Sequence, residues 1–373
     1  MNLREFFTPD AIAAQWNEAA SNRVPYLGTG LFPARKKAGL DLSWLKGSKG
    51  LPVSLMPSAF DAKATFRDRI GFEKLETEMP FFREGFKIKE KDRQELLRAA
   101  DSSDPYARAT IERVFDDANN LIDGANVVPE RMRMQLLFPE NGNAGIAISA
   151  NGVAYIYNYD PNGTWKIGNY FALSGAVLRT AAAATAGPCA VFEHAKDKIR
   201  SSTGTDLTIA VMNTATFNLL AATEAVKRRY LTTSGLTLGY LTDDEVKNVV
   251  SGTSRIQIAI YDKQYKDESG TARSFVPDGY VAMIPAGDLG GTWYGTTPEE
   301  ADLVENPAAE VTIVNTGVAV TREITTHPVN INTYASEIVL PSYERMDEVA
   351  VIKVIDETAA SEEPVQKARA AAR

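Results

Sequence analysis

The chain has 373 residues and a formal net charge of −8, with 44% apolar and 24% charged residues. This length allows two or three compact units with their own cores, and the composition is that of an ordinary globular protein. The acidic balance argues against a dedicated nucleic-acid binder, because neutralising phosphates requires clustered Lys and Arg. An acidic protein can still enclose DNA without gripping it.

The sequence offers little for catalysis, secretion or membrane insertion. No stretch approaches the roughly 18 continuous apolar residues of a membrane span, and the N-terminal residues lack a secretory signal pattern. His194 and His327 are far apart, and no zinc-ligand spacing, phosphate-binding loop or nucleophile elbow is present. The single cysteine, Cys189, fits a reducing cytoplasm. We therefore expect a non-enzymatic protein with no cofactor and no bound metal.

The first 90 residues predict segments that are not stable by themselves. Thr8 and Pro9 favour a short helix as its cap and first-position proline, and residues 24–33 form an apolar segment broken by Gly and Pro. Such a segment is typical of an arm that lies across another surface. Residues 40–90 alternate apolar runs with turn signals, which predicts a long two-stranded excursion. Because an isolated hairpin is marginal in water, this excursion needs a neighbour, which could be another subunit.

The strongest helix signal follows this excursion. Asp104 and Pro105 supply a cap and a first-turn proline, and apolar residues then recur at spacings of three and four as far as Ala125. Pro129 interrupts the pattern, and residues 130–138 resume it, which predicts a kinked continuation.

The rest of the chain predicts a hairpin, an α/β unit and a strand-rich segment. Asn151 and Gly152 favour a tight hairpin turn, and the tyrosines that follow indicate a packed sheet face or, alternatively, an aromatic platform. Strands and helices then alternate between about 206 and 285, with Asn213 or Thr214 as a helix cap. Residues 310–355 are rich in strand patterns, and residues 358–373 are typical of a disordered tail.

Several short motifs, taken in order, resemble the lambda E family of major capsid proteins. They are spread over about residues 25–355 and lie at residues 26–33, 64–69, 80–84, 151–153, 211–213, 261–265, 275–279 and 341–347. Each motif is weak alone, and their shared order makes the resemblance fairly specific. The sequence departs from the family pattern at residues 157–163 and beyond Asp356.

The resemblance implies an α+β fold of the Hong Kong 97 type, with an N-terminal arm, an extended loop, a peripheral domain holding a long spine helix, and an axial domain. The expected boundaries are 1–40 for the arm, 41–85 for the extended loop, 86–190 and 310–356 for the peripheral domain, 191–309 for the axial domain and 357–373 for the tail.

The resemblance also implies a capsid protein that self-assembles through pentamers and hexamers into an icosahedral head around phage double-stranded DNA. We expect a virion protein that is assembled in the host cytoplasm without a membrane. Its expected partners are copies of itself, a portal protein, a scaffolding protein, a decoration (cement) protein and non-specifically packaged DNA.

Intersubunit contacts are expected from the arm, the loop and charged residues near them. The apolar candidates are Leu31, Phe32, Trp44, Leu45, Leu55 and Met56. The charged candidates, which fit intrasubunit or solvated pairs equally well, are Arg67, Asp68, Arg69, Arg83, Glu84, Glu344, Arg345 and Asp347. A triplet of cations, either a solvated turn or a basic spot facing packaged DNA, is formed by Arg35, Lys36 and Lys37.

Two other functional classes fit parts of the sequence. A metal-dependent hydrolase would use Asp243, Asp244 and Glu245, although this triplet is more typical of a capped helix start. A different assembly protein is the second class. A tail-tube subunit would be β-dominated, which disagrees with the long predicted helix, whereas the shell of an encapsulating compartment would share the fold and differ only in its contents.

Overall fold

The computed structural model describes the chain in separate stretches. They are residues 8–10, 12–14, 25–46, 73–90, 94, 105–150, 152–172, 188–223, 226–227, 230, 241–303, 310–326 and 329–353, with the backbone alone at 45–46, 73–75, 105–118, 188, 326 and 329. Two compact units are present, one comprising Met1–Trp44, Glu76–Arg133 and Gly290–Ser342, and the other comprising Leu45–Leu75, Met134–Leu289 and Tyr343–Arg373.

The described helices and strands confirm a mixed α and β architecture. The helices are α1 (Leu27–Leu31), α2 (Pro105–Leu137), α3 (Thr164–Asn169), α4 (Pro188–Thr203), α5 (Thr214–Ala221), α6 (Asp243–Ser254) and α7 (Pro298–Asp302). The strands are β1 (Ala34–Lys36), β2 (Asp41–Lys46), β3 (Glu73–Glu78), β4 (Phe81–Ile88), β5 (Gly145–Ala150), β6 (Val153–Asn158), β7 (Tyr170–Ala172), β8 (Ile209–Met212), β9 (Gln257–Ile260), β10 (Gln264–Lys266), β11 (Ala272–Ser274), β12 (Tyr280–Ile284), β13 (Gly291–Tyr294), β14 (Glu310–Val314), β15 (Val318–Thr326), β16 (Val329–Ser342) and β17 (Ala350–Lys353).

The first unit is built on a six-stranded sheet in the order β1-β13-β16-β15-β14, with β4 also paired to β16. The long strand β16 pairs with β15 along one edge, and with β4 and then β13 along the other. A small core forms where Ile12 and Ala13 pack with Ile122 of α2 and with Val314 and Val320 of the sheet. Ile12 donates its backbone N–H to the Thr8 carbonyl at 3.1 Å, so the short helix predicted near the N-terminus is present in the described residues there.

Helix α2 is the long helix that the sequence predicts, and it continues through Pro129 without interruption. Proline is normally unfavourable inside a helix because it lacks the N–H and crowds the preceding turn. Here its ring is buried, so packing of the helix face outweighs the local preference. The division between the two units falls within α2, after Arg133.

The second unit contains a five-stranded sheet in the order β7-β17-β12-β8-β9. Its central strand β12 is buried at every residue, as expected for a strand that is paired on both edges and covered on both faces. Helices α4, α5 and α6 contribute Phe192, Phe217 and Val250 to its apolar core. A separate hairpin joins β5 and β6, with Tyr155 and Tyr157 paired to buried Ile148 and Ile146, so this tyrosine face is packed.

The two units divide the chain at positions other than the expected domain boundaries. Strand β13 joins the sheet of the first unit, because it pairs with β1 and β16, although residues 191–309 were expected to form one domain. Strand β17 pairs with β12 and β7 in the second unit, apart from β14, β15 and β16. The expected tail at 357–373 lies outside the described residues. Among the residues that are described, no helix combines the length and hydrophobicity needed to cross a membrane.

Candidate functional site

The arm segment from Leu27 to Lys36 is docked on its own subunit. Strand β1 pairs in parallel with β13, and the Phe32 side chain is 0% exposed. The backbone N–H of Gly28 donates to Glu130 Oε1 of α2 at 3.0 Å. A Cβ atom at position 28 would collide with the buried side chains of Glu130 and Arg133, so any other residue there would have to displace them. The prediction that this segment lies across another subunit is therefore corrected for residues 27–36.

A buried ion pair anchors the docked segment. Arg133 Nη1 lies 3.1 Å from Glu130 Oε2, and both side chains are almost fully buried. Arg133 Nε also donates to Thr292 Oγ1 at 2.9 Å, and the Thr292 hydroxyl donates to the Phe32 carbonyl at 2.9 Å. One arginine thus connects the spine helix, strand β13 and the arm. The i,i+3 spacing of Glu130 and Arg133 was visible in the sequence, but their burial was not.

Glu337 of β16 is another buried acid of this unit. Its side chain is 1% exposed, and neither carboxyl oxygen has a hydrogen-bond partner among the described residues. Burial raises the pKa of Glu337 well above its usual value, and the positive charge of Arg133 lowers it only in part. Burial also raises the pKa of Tyr294, which interacts electrostatically with Glu337 and Arg133, to about 12. The folded state therefore favours the neutral acid form of Glu337.

Replacing Glu337 by glutamine should remove a pH-dependent loss of stability. The glutamate side chain has a pKa of about 4.3 in the unfolded chain. Above that pH, folding takes up a proton at Glu337, because its pKa is raised in the folded state. The free energy of unfolding therefore falls as the pH rises towards the folded pKa. This slope is about 1.4 kcal/mol per pH unit for one proton. Urea unfolding of wild type and Glu337→Gln should therefore agree near pH 4 and diverge at neutral pH, with the variant more stable. Glu84→Gln, on an exposed carboxyl of neighbouring β4, controls for loss of a glutamate, and equal pH profiles for Glu337→Gln and wild type would contradict the assignment.

The structure accounts for the apolar contact candidates in different ways. Phe32 and Trp44, the latter 8% exposed, are buried within the chain and do not offer their side chains to neighbours, which corrects both expectations. Leu31 is half-buried. The remaining candidates lie outside the described side chains and stay predictions, namely Leu45, Leu55, Met56, Arg67, Asp68 and Arg69.

Two further charged candidates lie on β4. Arg83 pairs with Glu299 of α7, and its guanidinium lies 4.8 Å from the ring centroid of Phe81. Glu84 is exposed. Residues 81–88 pair with β16 along their length. They therefore belong to the sheet, although the expected range of the extended loop, 41–85, included residues 81–85. The Arg83–Glu299 contact is an intrasubunit pair.

Residues 343–347 of the motif at 341–347 belong to the second unit, where Arg345 makes several contacts. Arg345 Nη1 donates to the carbonyls of Ala286 and Asp288 at 3.1 and 2.9 Å, and Nη2 lies 2.6 Å from Glu348. The carbonyl of Asp347 accepts from Asn169 Nδ2 at 2.8 Å. Arg345 thus has partners within its own chain, and intersubunit contacts of Arg345, Asp347 and the half-buried Glu344 stay predictions.

The basic triplet lies on and just after exposed strand β1. Arg35 lies 5.4 Å from the ring centroid of Trp293, and Lys36 Nζ lies 2.5 Å from Glu300. Lys37 Nζ donates to the Asp41 carbonyl at 2.6 Å. Each cation therefore has a partner in its own chain, which favours the solvated-turn interpretation, and a DNA-facing role stays a prediction.

The acidic triplet of the hydrolase hypothesis forms the first turn of α6. Thr242 Oγ1 accepts from the Glu245 backbone N–H, and the Glu245 carboxylate accepts in return from the Thr242 N–H, which completes a capping box. The hydrogen bond from Tyr230 is the largest of the effects that lower the pKa of Glu245. Within the described ranges, no group of three or more His, Cys, Asp or Glu side chains is arranged to hold a metal ion.

Comparison with known proteins connects this architecture to a family. The family model described as phage major capsid protein E matches residues 8–354. A phage-related protein from Bordetella bronchiseptica RB50 is similar over 93% of this chain and 97% of its own, with 13% identity and a TM-score of 0.50. A candidate prophage capsid protein from Escherichia coli CFT073 is similar over 95% and 99%, with 12% identity and a TM-score of 0.54. No curated protein sequence matches the chain.

The structural similarities support the fold alone at this level of identity, whereas the family model spans both units. The predicted Hong Kong 97 type fold and the predicted function as a capsid protein are confirmed. The chain belongs to the phage major capsid protein E family.

Proposed function

We propose that this major capsid protein builds an icosahedral phage head from pentamers and hexamers of one chain, around double-stranded DNA. The family match over residues 8–354 carries this proposal, because it covers both compact units. The same unit must then meet its neighbours at slightly different angles in the two kinds of ring. We expect the helices and sheets of the two units to supply the repeated shape and the extended loop to supply the adjustment.

The first unit is well suited to act as a rigid tile. Glu130, Arg133 and Thr292 connect the arm to the helix and the sheet through hydrogen bonds that are shielded from water. In a closed shell, a docked arm keeps the surface of each copy the same before and after association, which reduces the conformational entropy lost on assembly.

The extended loop is the part of the chain that we assign to neighbouring subunits. Strands β2 and β3, which come directly before and after residues 47–72 in the sequence, pair with each other. The loop contains Leu55 and Met56, whose apolar area would contribute about 25 cal/mol per Å2 when buried on a neighbour. Each such contact is modest, and the sum over a closed shell is large.

Further partners follow from the same proposal. A head that fills with DNA requires a portal protein, and a scaffolding protein would guide curvature during assembly in the host cytoplasm. A decoration (cement) protein would reinforce the finished shell. An encapsulating compartment is the alternative, and it would differ by holding protein cargo and lacking a portal.

Electron microscopy of the purified protein tests the proposal. Wild type should form icosahedral particles or rings of five and six subunits. Replacing residues 47–72 by a short Gly-Ser linker should abolish shell closure and leave the urea unfolding midpoint of the subunit almost unchanged. Removing residues 357–373, the predicted tail, is the matched control and should leave particles intact. A wild-type protein that stays monomeric at high concentration would overturn the proposal.

A further inference from the structure

On one edge of the β5–β6 hairpin, the backbone groups of Ala147 form hydrogen bonds with a side chain. Gln135 Nε2 donates to the Ala147 carbonyl at 3.1 Å, and the Ala147 N–H donates back to Gln135 Oε1 at 3.0 Å. Both backbone groups of Ala147 therefore point away from β6. Ala147 lies opposite Ile156, so this is a non-hydrogen-bonded pair of the antiparallel ladder. The alternation agrees with the hydrogen bond from Tyr159 N to the Ala144 carbonyl at 2.9 Å.

The other edge of the hairpin, on β6, is paired with no strand that the structure describes, and we call it the open edge. Because pairs alternate along the ladder, the N–H and C=O groups of Ala154, Ile156 and Asn158 also point outward, away from β5. Among the described strands, none but β5 pairs with β6. All three residues are exposed, and the Ile156 side chain is 77% exposed. The edge thus offers backbone donors and acceptors beside an apolar side chain.

This edge carries none of the usual protection against strand pairing. Monomeric proteins protect exposed edges with charged residues, proline or bulges. Strands β5 and β6 read GIAISA and VAYIYN, which contain no charged residue and no proline, and their register is continuous. Without such protection the edge is open to an added strand.

We propose that the open edge of β6 binds an extended segment of a second copy of this chain as an added strand. The inference rests on the proposed function, because assembly brings the second copy into contact. The hairpin has no cation, so it does not fit nucleic acid, whose phosphates require Lys and Arg. A row of backbone donors and acceptors can form more hydrogen bonds with another strand than with an apolar surface. Because the edge carries no charge, we expect the added strand to be uncharged as well.

Ala154→Pro tests the backbone contact directly. The Ala154 N–H points outward, so proline removes a donor from the open edge without removing a hydrogen bond to β5, and proline is tolerated at such edge positions. We expect the yield of particles to fall about tenfold, since a loss of about 1.4 kcal/mol per contact corresponds to that factor. Ala154→Ser keeps the donor and should assemble as wild type does. Assembly of Ala154→Pro at the wild-type level would overturn the proposal.

A crosslinking experiment covers the case in which Ala154→Pro fails to fold. Ile156 is replaced by benzoylphenylalanine in isotopically light and heavy subunits, which are mixed before assembly and irradiated as particles. Crosslinked peptides from position 156 should join light and heavy chains. Crosslinks confined to chains of one label would overturn the inference, whereas failure of the wild type itself to form particles would overturn the proposed function.

Discussion

Replacing Arg133 by methionine should lower the free energy of unfolding by about 3–5 kcal/mol, which is typical for removing one partner of a buried ion pair. The variant leaves the Glu130 carboxylate buried beside an apolar side chain, and it also removes the donor to Thr292. Urea unfolding followed by tryptophan fluorescence measures the change.

The matched control for this variant is Arg200→Met. Arg200 forms an exposed ion pair with Asp206 at 2.5 Å, and its side chain is 49% exposed, so its loss should shift the unfolding midpoint far less. A double variant, Glu130→Met with Arg133→Met, should be more stable than Arg133→Met alone, because no charge is left buried without a partner. Equal midpoints for Arg133→Met and wild type would show that the pair does not stabilise the fold.

Phe32→Ala should destabilise the subunit by about 3–5 kcal/mol, the range for truncating a fully buried phenylalanine. The side chain is 0% exposed, and a cavity left there would lie beside Gly290, whose own added Cβ would come within 3.2 Å of the Phe32 ring. Hydrogen exchange at residues 27–36 should rise, because β1 would lose its anchor on β13.

Leu31→Ala is the control for Phe32→Ala. Leu31 is half-buried, so its truncation should cost less stability. Phe32 could be buried in its own subunit or contact a neighbouring subunit, and the two interpretations predict opposite outcomes. A side chain that contacts a neighbouring subunit would, when truncated, reduce particle yield and leave the unfolding midpoint of the isolated subunit unchanged.

Features of the fold that depend on neighbouring residues in the sequence could be predicted. Asn213 caps α5 by accepting from the Thr216 N–H, as its place before an amphipathic helix indicates. The Thr242–Glu245 capping box is equally local. Gly152 has the positive φ of 79° that the predicted hairpin turn requires. In these cases the residue and its partner are at most three positions apart.

Features that depend on burial by distant segments could not be predicted. Gly28 and Glu130 are 102 positions apart, so nothing near residues 24–33 indicates that they pack on their own subunit. A local reading therefore assigned an apolar, glycine-rich segment to a neighbour. The partners of Arg345 could not be predicted for the same reason, because its acceptors, the carbonyls of Ala286 and Asp288, are distant in sequence.

Strand β16 also has a mechanical consequence. Residues 331–338 of this strand pair with β4, which follows β2 and β3 in the chain. Residues 339–342 pair with β13, which also pairs with β1 of the arm. Tension applied along β4 would load this ladder in shear, so that many interstrand hydrogen bonds resist together instead of breaking one at a time. Outward pressure on the wall of a shell filled with DNA would then be distributed along the continuous backbone of β16 before it reached the arm.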